Sequence, residues 1–176
     1  MRKSLLLILP AALAAGCQLF GPPPSRAVAE LRPTRGHTAS GVVQFEQIAD
    51  RVYLQAVVTG LEPGSEHGFH VHEVGDCSAP DASSAKGHFN PFGKPHAHYS
   101  TPERHAGDLP SLKADASGRA VLEKRLDVIS VTPGPASIVG RAVIVHAQPD
   151  DYRTQPDGNA GARIACGVIR LAPKSN

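Results

Sequence analysis

The sequence lacks the patterns that mark helical and membrane-spanning proteins. No segment carries an amphipathic helical stripe, in which apolar residues recur about every three to four positions. The apolar run from Leu5 to Ala15 is too short to cross a bilayer, which takes about 20 such residues. With 41% hydrophobic residues, 17 glycines and 16 prolines, the composition is instead typical of a globular, turn-rich chain.

An excess of charge of either sign is also missing from most of the chain. The 18 basic and 16 acidic residues give a formal net charge of +2, but Arg2 and Lys3 lie in the first 16 residues, which hold no acidic residue. The rest of the chain is balanced at 16 against 16. Because a balanced chain offers no general attraction for a polyanion, we expect no nucleic acid among its partners.

The N-terminal stretch has the parts of a secretory signal peptide. Its basic start is followed by the apolar run and then by small residues before Cys17. The ending LAAGC resembles the lipobox of bacterial lipoproteins, although Ala14 stands where a leucine is usual. We therefore expect a lipoprotein-type signal peptide over residues 1–16, export to the periplasm, and membrane attachment through a lipidated Cys17. A plain signal peptide cleaved nearby, with Cys17 lost or left free, is the alternative.

Cysteine is scarce, and its number is odd. An exported protein with three cysteines leaves one thiol to be explained. If Cys17 carries lipid, Cys77 and Cys166 remain as a pair in an oxidising compartment. A bridge between them would close a loop of about ninety residues and constrain the unfolded chain.

The remaining chain reads as one domain of short strands. Residues 17–26 form a proline-rich tether, and the domain is placed at residues 27–173. Alternation of apolar and polar residues predicts strands in VVQFEQI, RVYLQAVVTGL, GFHVH, RAVLEKRLDV, RAVIVHA and RIACGVIRLA. The pattern predicts an all-β fold, an antiparallel sandwich or barrel. Two long segments, 73–109 and 147–162, interrupt it, and loops of this length are usually functional or held by something other than a core.

Histidines are concentrated in a pattern suited to metal binding. His70 and His72 are two positions apart on a predicted strand, so their side chains leave the same face and can converge on one ion. His67 has the wrong parity for that face, and we expect a hydrogen bond at the base of the loop instead. Further candidates follow in the first long loop and at the end of a later strand: His88, His96, His105, Asp108 and His146. Three histidines with one aspartate suit tetrahedral zinc, and an all-histidine set on strands suits copper.

Four motifs in the same order resemble the copper,zinc superoxide dismutases of bacteria. They are GFHVHEVGDCS, GHFNP, RHAGDL and GNAGARIACGVI, and the resemblance covers about residues 27–173. It implies a Greek-key β-sandwich or barrel, immunoglobulin-like, with a long metal-binding loop and a shorter electrostatic loop. It implies copper bound by His70, His72, His88 and His146, and zinc bound by His88, His96, His105 and Asp108, with His88 bridging the two metals.

The same resemblance implies roles for residues outside the two ligand sets. Cys77 and Cys166 match the family's disulfide, and Arg163 matches the arginine that faces the copper. Asp150 matches the carboxylate that joins a copper-bound histidine to a zinc-bound one, and Asp151 is the alternative. The implied activity is dismutation of superoxide, in which Arg163 and His88 are the catalytic residues.

Several alternatives stay open from the sequence alone. An exported protein that sequesters copper and zinc on a dismutase-like domain would use the same histidines. His98 lies beside His96 in HAH and is a second candidate for that zinc position. The second loop contains no lysine, so the cations left to steer an anion are Lys86, Lys94 and Arg153. Monomer and homodimer are equally compatible with the sequence.

Overall fold

The computed structural model describes residues 25–173. The predicted signal peptide, Cys17 and most of the proline-rich tether therefore lie outside the described residues. The first strand begins at Ser25, so the last two residues assigned to the tether belong to the sheet. Within residues 25–173, no helix combines the length and apolarity needed to cross a bilayer.

The regular secondary structure of the described chain is almost entirely antiparallel strand, which confirms the predicted all-β fold. A single 3₁₀ turn, Ser83–Ala85, interrupts them within the described range. The strands are β1 (Ser25–Pro33), β2 (Ser40–Ile48), β3 (Arg51–Thr59), β4 (Glu66–His67), β5 (Phe69–His72), β6 (Leu112–Lys113), β7 (Ala120–Leu126), β8 (Ala142–His146), β9 (Arg163–Val168) and β10 (Arg170–Leu171).

The alternation that predicted the strands also places the core. In β3, Val52, Leu54, Ala56 and Val58 are buried, whereas the residues between them are not. Facing positions on β1 and β2 follow the same rule, so one side of the curled sheet forms the main hydrophobic core. By contrast, β5 and β8 are buried along their whole length, because a long loop covers their other face.

The strand order brings distant histidines together. In the large sheet the order is β5-β8-β9-β1-β2-β3-β7, with β10 paired to β1 and a separate β4-β6 pair. β5 lies directly beside β8, in a register that sets His70 opposite Ile144. A register shift at Val145/His146 ends the regular pairing of β8 with β9 at the strand's final histidine. Irregularities of this kind often redirect a side chain next to a functional site.

The first long loop is folded against β5 by main-chain bonds. The Phe89 N–H donates to the Val71 carbonyl at 2.8 Å, and the Val71 N–H donates to the Gly107 carbonyl at 2.9 Å. A Cβ on Gly107 would lie 2.2 Å from the Val71 oxygen, so only glycine permits this approach. The predicted disulfide is present between Cys77 and Cys166, and it ties the start of the loop to β9.

Candidate metal centre

Four buried histidines from three parts of the chain converge at the end of the sheet. His70 and His72 project from β5, His146 ends β8, and His88 is placed by an antiparallel bridge between its main chain and that of His72. One ring nitrogen from each lies within 4.8 Å of those of the others. Rigid strands position three of the four, so the set is largely preorganised.

A second set lies on the first long loop and shares His88 with the first. Its other members are His96, His105 and Asp108, all buried. The Asp108 Oδ1 lies 3.1 Å from His88 Nδ1, 3.0 Å from His96 Nδ1 and 3.5 Å from His105 Nδ1. The other oxygen, Oδ2, accepts the main-chain N–H of Ala97 and of His105, both at 3.1 Å. Main-chain donors thus fix the carboxylate while its free oxygen faces three imidazoles.

The outer ring nitrogens of the first set are all held by acceptors. His72 Nδ1 donates to the Lys86 carbonyl at 2.8 Å, and His146 Nδ1 donates to the Gly161 carbonyl at 3.2 Å. His70 Nε2 donates to Asp150 Oδ2 at 2.7 Å. Because each outer nitrogen carries the proton, the inner nitrogen of each ring keeps its lone pair, which is the form that binds metal.

The environment of the inner ring nitrogens of the first set tests whether the site suits a metal. His70 Nδ1 and His88 Nε2 are buried and have no hydrogen-bond partner among residues 25–173. His72 Nε2 and His146 Nε2 instead face each other at 3.3 Å. Buried polar atoms without partners are costly, and lone pairs that point at one another are more so. An ion bound between these nitrogens would remove that cost. A nitrogen-only set fits copper, and three imidazoles with one carboxylate fit zinc.

Asp150 connects the two sets from behind. Its Oδ2 accepts from His70, and its Oδ1 accepts from His96 Nε2 at 2.9 Å and from the Tyr152 N–H at 2.7 Å. Asp151, the alternative for this position, is exposed and caps the main chain of its own loop at Arg153 and Thr154. The structure therefore places Asp150, and not its neighbour, between the two sets.

Burial and mutual repulsion disfavour the charged form of three histidines of the first set. Burial is the largest influence on His72, His146 and His88, and neighbouring imidazoles add to it, so the pKa of each is lowered. For His88 the pKa falls to about 4, even though Asp108 opposes the change. Neutral imidazole is the state that ligates one metal, so His72 and His146 need to lose no proton at neutral pH. His88, which belongs to both sets, must in addition give up its remaining ring proton to bind two ions.

The carboxylates of the centre are held in their charged form. Burial raises the pKa of Asp108, but its hydrogen bonds to the surrounding histidines outweigh burial and keep that pKa far below its usual range. The same balance, with His70 and His96 as donors, lowers the pKa of Asp150. Burial likewise lowers the pKa of His96, but Asp108 and Asp150 together raise it to about 9. Two charged carboxylates therefore flank the His96 ring.

Arg163 stands at the opening of the first set. Its two terminal nitrogens donate to the carbonyls of Ala82 and Lys86, each at 2.6 Å, so the guanidinium fastens the first loop. Together with Asp157, it lines a cavity of about 270 Å³ whose floor includes His72, His88 and His146. Of the described residues, Lys86, Lys94 and Arg153 are not part of this lining, and Lys94 is paired with Glu103 at 2.5 Å.

The histidines outside the two sets have other environments. His67 donates from Nδ1 to the His146 carbonyl at 2.7 Å, which confirms the predicted hydrogen bond at the loop base. His98 is half-buried against Tyr152, 4.5 Å between ring centroids, and does not belong to either set. His37 is exposed in the connection between β1 and β2.

Three further residues around the centre were not predicted. Gln155 bonds the main chain of His96, Gly158 packs against Asp150, and Asp157 faces the cavity. All three lie in the second long loop, and Gly158 is the first residue of the motif GNAGARIACGVI. The abundance of glycine and proline around them marked a loop, but no residue pattern indicated which side chains turn inward.

An antiparallel β-domain that presents two buried donor sets with one shared histidine, from its strands and its first long loop, defines a class of protein with two adjacent candidate metal sites. A family model described as copper/zinc superoxide dismutase (SODC) matches residues 39–169, and the chain belongs to that family. Superoxide dismutase (Cu-Zn) 2 of Aquifex aeolicus is 39% identical over 149 residues, which are 82% of this chain and 86% of that protein. The Cu-Zn superoxide dismutase of Candida glabrata is 42% identical over 157 residues, covering 83% and 97% of the two chains.

A solved structure confirms the same architecture. The crystal structure of the clock protein EA4 superposes with a TM-score of 0.77 at 43% sequence identity. The match covers 85% of this chain and 96% of that one. The curled antiparallel sheet and both long loops fall within a fold already known from experiment.

Proposed function

We propose that this protein is a superoxide dismutase that uses copper and zinc. The observation that supports this proposal most directly is that His88 belongs to both buried donor sets, so that one imidazole joins two different metal sites. In the net reaction, two superoxide anions and two protons give dioxygen and hydrogen peroxide. One anion loses an electron and the other gains it, so the reaction needs a one-electron couple and a proton source.

The ligand assignments follow the two donor sets. Copper is held by His70, His72, His88 and His146, and zinc by His88, His96, His105 and Asp108. When bound, copper supplies the one-electron couple and zinc supplies fixed positive charge, because zinc has no redox chemistry of its own. The protein's own side chains must then bind the anion and deliver protons.

His88 is placed to handle the proton. Its Nδ1 faces Asp108 at 3.1 Å, while its Nε2 has no protein partner and lies on the side of the first set. A proton at Nε2 would lie beside the cavity, within reach of a reduced oxygen species bound there. We assign His88 as the general acid, which takes up a proton at Nε2 in one half-cycle and donates it in the other.

Arg163 is placed to bind the substrate anion. Its guanidinium is held by two main-chain carbonyls and carries a permanent positive charge at the edge of the cavity. A fixed cation favours the anion without a cost in side-chain ordering at the moment of binding. The cavity, at about 270 Å³, leaves ample room for a diatomic anion beside this cation.

We also propose that the protein works outside the cytoplasm. The disulfide between Cys77 and Cys166 is consistent with an oxidising compartment, and residues 1–16 with Cys17 carry the pattern of a lipoprotein signal. Mass spectrometry of the protein purified from membranes tests this idea. A diacylated Cys17 as the first residue is the expected result, and a soluble product with an unmodified N-terminus would contradict membrane attachment.

Metal analysis and superoxide decay together test the catalytic proposal. Wild type should bind one copper and one zinc per chain and remove superoxide, whereas His88→Ala should lose most of the activity. His98→Ala is the matched control, because His98 is outside both sets, and it should keep full zinc content and activity. Wild-type protein that binds both metals but leaves superoxide decay unchanged would instead favour metal sequestration.

A further inference from the structure

Gln155 pairs its side-chain amide with the main chain of His96 in both directions. The Gln155 Oε1 accepts the His96 N–H at 2.8 Å, and the Gln155 Nε2 donates to the His96 carbonyl at 2.8 Å. Because an N–H needs an acceptor and a carbonyl needs a donor, these two bonds also fix which way the amide points. A single side chain therefore gives His96 the pair of bonds that a neighbouring antiparallel strand would give.

His96 needs such support because it is not on a strand. His70 and His72 are held by the β5-β8 ladder, whereas His96 lies in an irregular part of the first loop. Its ring is fixed at both nitrogens, by Asp108 Oδ1 at 3.0 Å and by Asp150 Oδ1 at 2.9 Å. With Gln155 holding the main chain, every polar atom of His96 is bonded within the described structure.

These contacts also join the two long loops. Gln155 and Asp150 both belong to the second loop, and both bond a residue of the first. Gln155 donates in addition to the Arg153 carbonyl at 3.3 Å, so its side chain is braced from its own loop. The orientation of His96 thus depends on the conformation of a segment that supplies none of the second set's ligands.

We propose that Gln155 is a positioning residue for zinc. It fixes the main chain from which the His96 ring projects, so that Nδ1 meets His88, His105 and Asp108 without rearrangement. The inference rests on the proposed assignment of His96 as a zinc ligand. Partners one step removed from the metal typically change affinity by about 10–100-fold when they are removed. Loss of both bonds from Gln155 should weaken zinc binding by about tenfold.

The test compares Gln155→Met with Thr154→Ala in copper-free protein with its disulfide intact. Gln155→Met keeps side-chain length but removes both bonds. Thr154→Ala removes a hydrogen bond of the neighbouring residue, Oγ1 to Asp151 Oδ2 at 2.6 Å, without touching His96. The measurements are the zinc dissociation constant by chelator competition, the visible spectrum of the cobalt(II)-substituted site, and exchange of the His96 amide hydrogen.

We expect Gln155→Met to raise the zinc dissociation constant about tenfold, to change the cobalt spectrum and to speed exchange of the His96 amide. Thr154→Ala should leave all three near wild-type values. Equal effects in both variants, or an unchanged dissociation constant and spectrum in Gln155→Met, would overturn the proposal. His96→Ala separates this from the proposed function, because zinc binding that survives His96→Ala would refute the ligand assignment itself.

Discussion

Replacing Gly158 by alanine should destabilise the protein far more than its backbone conformation alone requires. Gly158 is buried with a φ of +66°, and an added Cβ would lie 1.9 Å from Asp150 Oδ1 and 2.6 Å from His96 Nε2. Gly93 has nearly the same φ, +62°, but has nothing within 4 Å of its Cβ position. Comparing Gly158→Ala with Gly93→Ala therefore separates the free-energy cost of a left-handed alanine from the free-energy cost of the steric collision.

The expected magnitudes follow from the bonds at Asp150. A left-handed residue other than glycine costs about 1–2 kcal/mol, and Gly93→Ala should show that loss and no more. In Gly158→Ala the carboxylate must also move away from His96 Nε2 and the Tyr152 N–H, which Oδ1 accepts at 2.9 and 2.7 Å. Hydrogen bonds to a charged group contribute about 1.5–3 kcal/mol each. Partial loss of two such bonds brings the expected total to about 4–5 kcal/mol.

Urea denaturation of metal-free, disulfide-intact protein measures both losses. Zinc affinity should also fall in Gly158→Ala, because the clash reaches His96, and should stay unchanged in Gly93→Ala. Equal losses of unfolding free energy in the two variants would refute the reasoning, since the collision would then cost nothing. An unchanged zinc affinity in Gly158→Ala would show that Asp150 does not orient His96.

Three other perturbations probe charge and covalent restraint. Asp157→Asn removes a negative charge from the cavity lining and should raise the rate constant with superoxide about two- to fivefold at low ionic strength. This increase in the rate constant should shrink at high ionic strength. Equal rate constants for Asp157→Asn and wild type at low ionic strength would contradict the prediction. Asp127→Asn should lower stability by about 1 kcal/mol near pH 7, because Asp127 is the partner of the buried Arg104. Although burial alone raises the pKa of Asp127, the guanidinium holds that pKa below its usual 3.8. The higher unfolding free energy of the wild type over Asp127→Asn is therefore present above the pKa of the unfolded chain and is lost as the pH falls through the pKa of the folded protein. An undiminished difference in unfolding free energy below both pKa values would refute the pairing. Reducing the bond between Cys77 and Cys166, 89 residues apart, should cost about 4–5 kcal/mol of unfolding free energy, measured against a double serine variant.

The strand-borne part of the centre was predictable from the sequence because its geometry follows a fixed period. His70 and His72 share a face by parity alone, and His146 ends a strand whose apolar run marks it as buried. The same parity assigned His67 to a structural role, which its bond to the His146 carbonyl confirms. Because the alternation of side chains along a strand is a local property, these assignments require no knowledge of the rest of the fold.

The loop-borne part was predictable only through the resemblance of its motifs to a known family, because no fixed period places side chains in a loop. Motif spacing favours His96 over His98 as the zinc ligand, and in the folded loop His96 is buried whereas His98 is only half-buried. Gln155 bonds the main chain of His96, 59 residues away in sequence, and Gly158 leaves space for the side chains of Asp150 and His96. No local sequence pattern encodes either contact. The short pair β4-β6 was missed for a similar reason, since two residues are too few to show alternation.

The placement of the ligands explains why the second loop is built so tightly around Asp150. The first donor set takes three of its four members from hydrogen-bonded strands, so it keeps its geometry through the sheet. The second set lies wholly on the first loop, whose main chain is held by carboxylates and by one amide side chain. Asp150 is the point at which these two kinds of support meet, because it bonds His70 on the sheet and His96 on the loop. A displacement of the second loop must therefore change the geometry of both donor sets, although that loop contributes a ligand to neither.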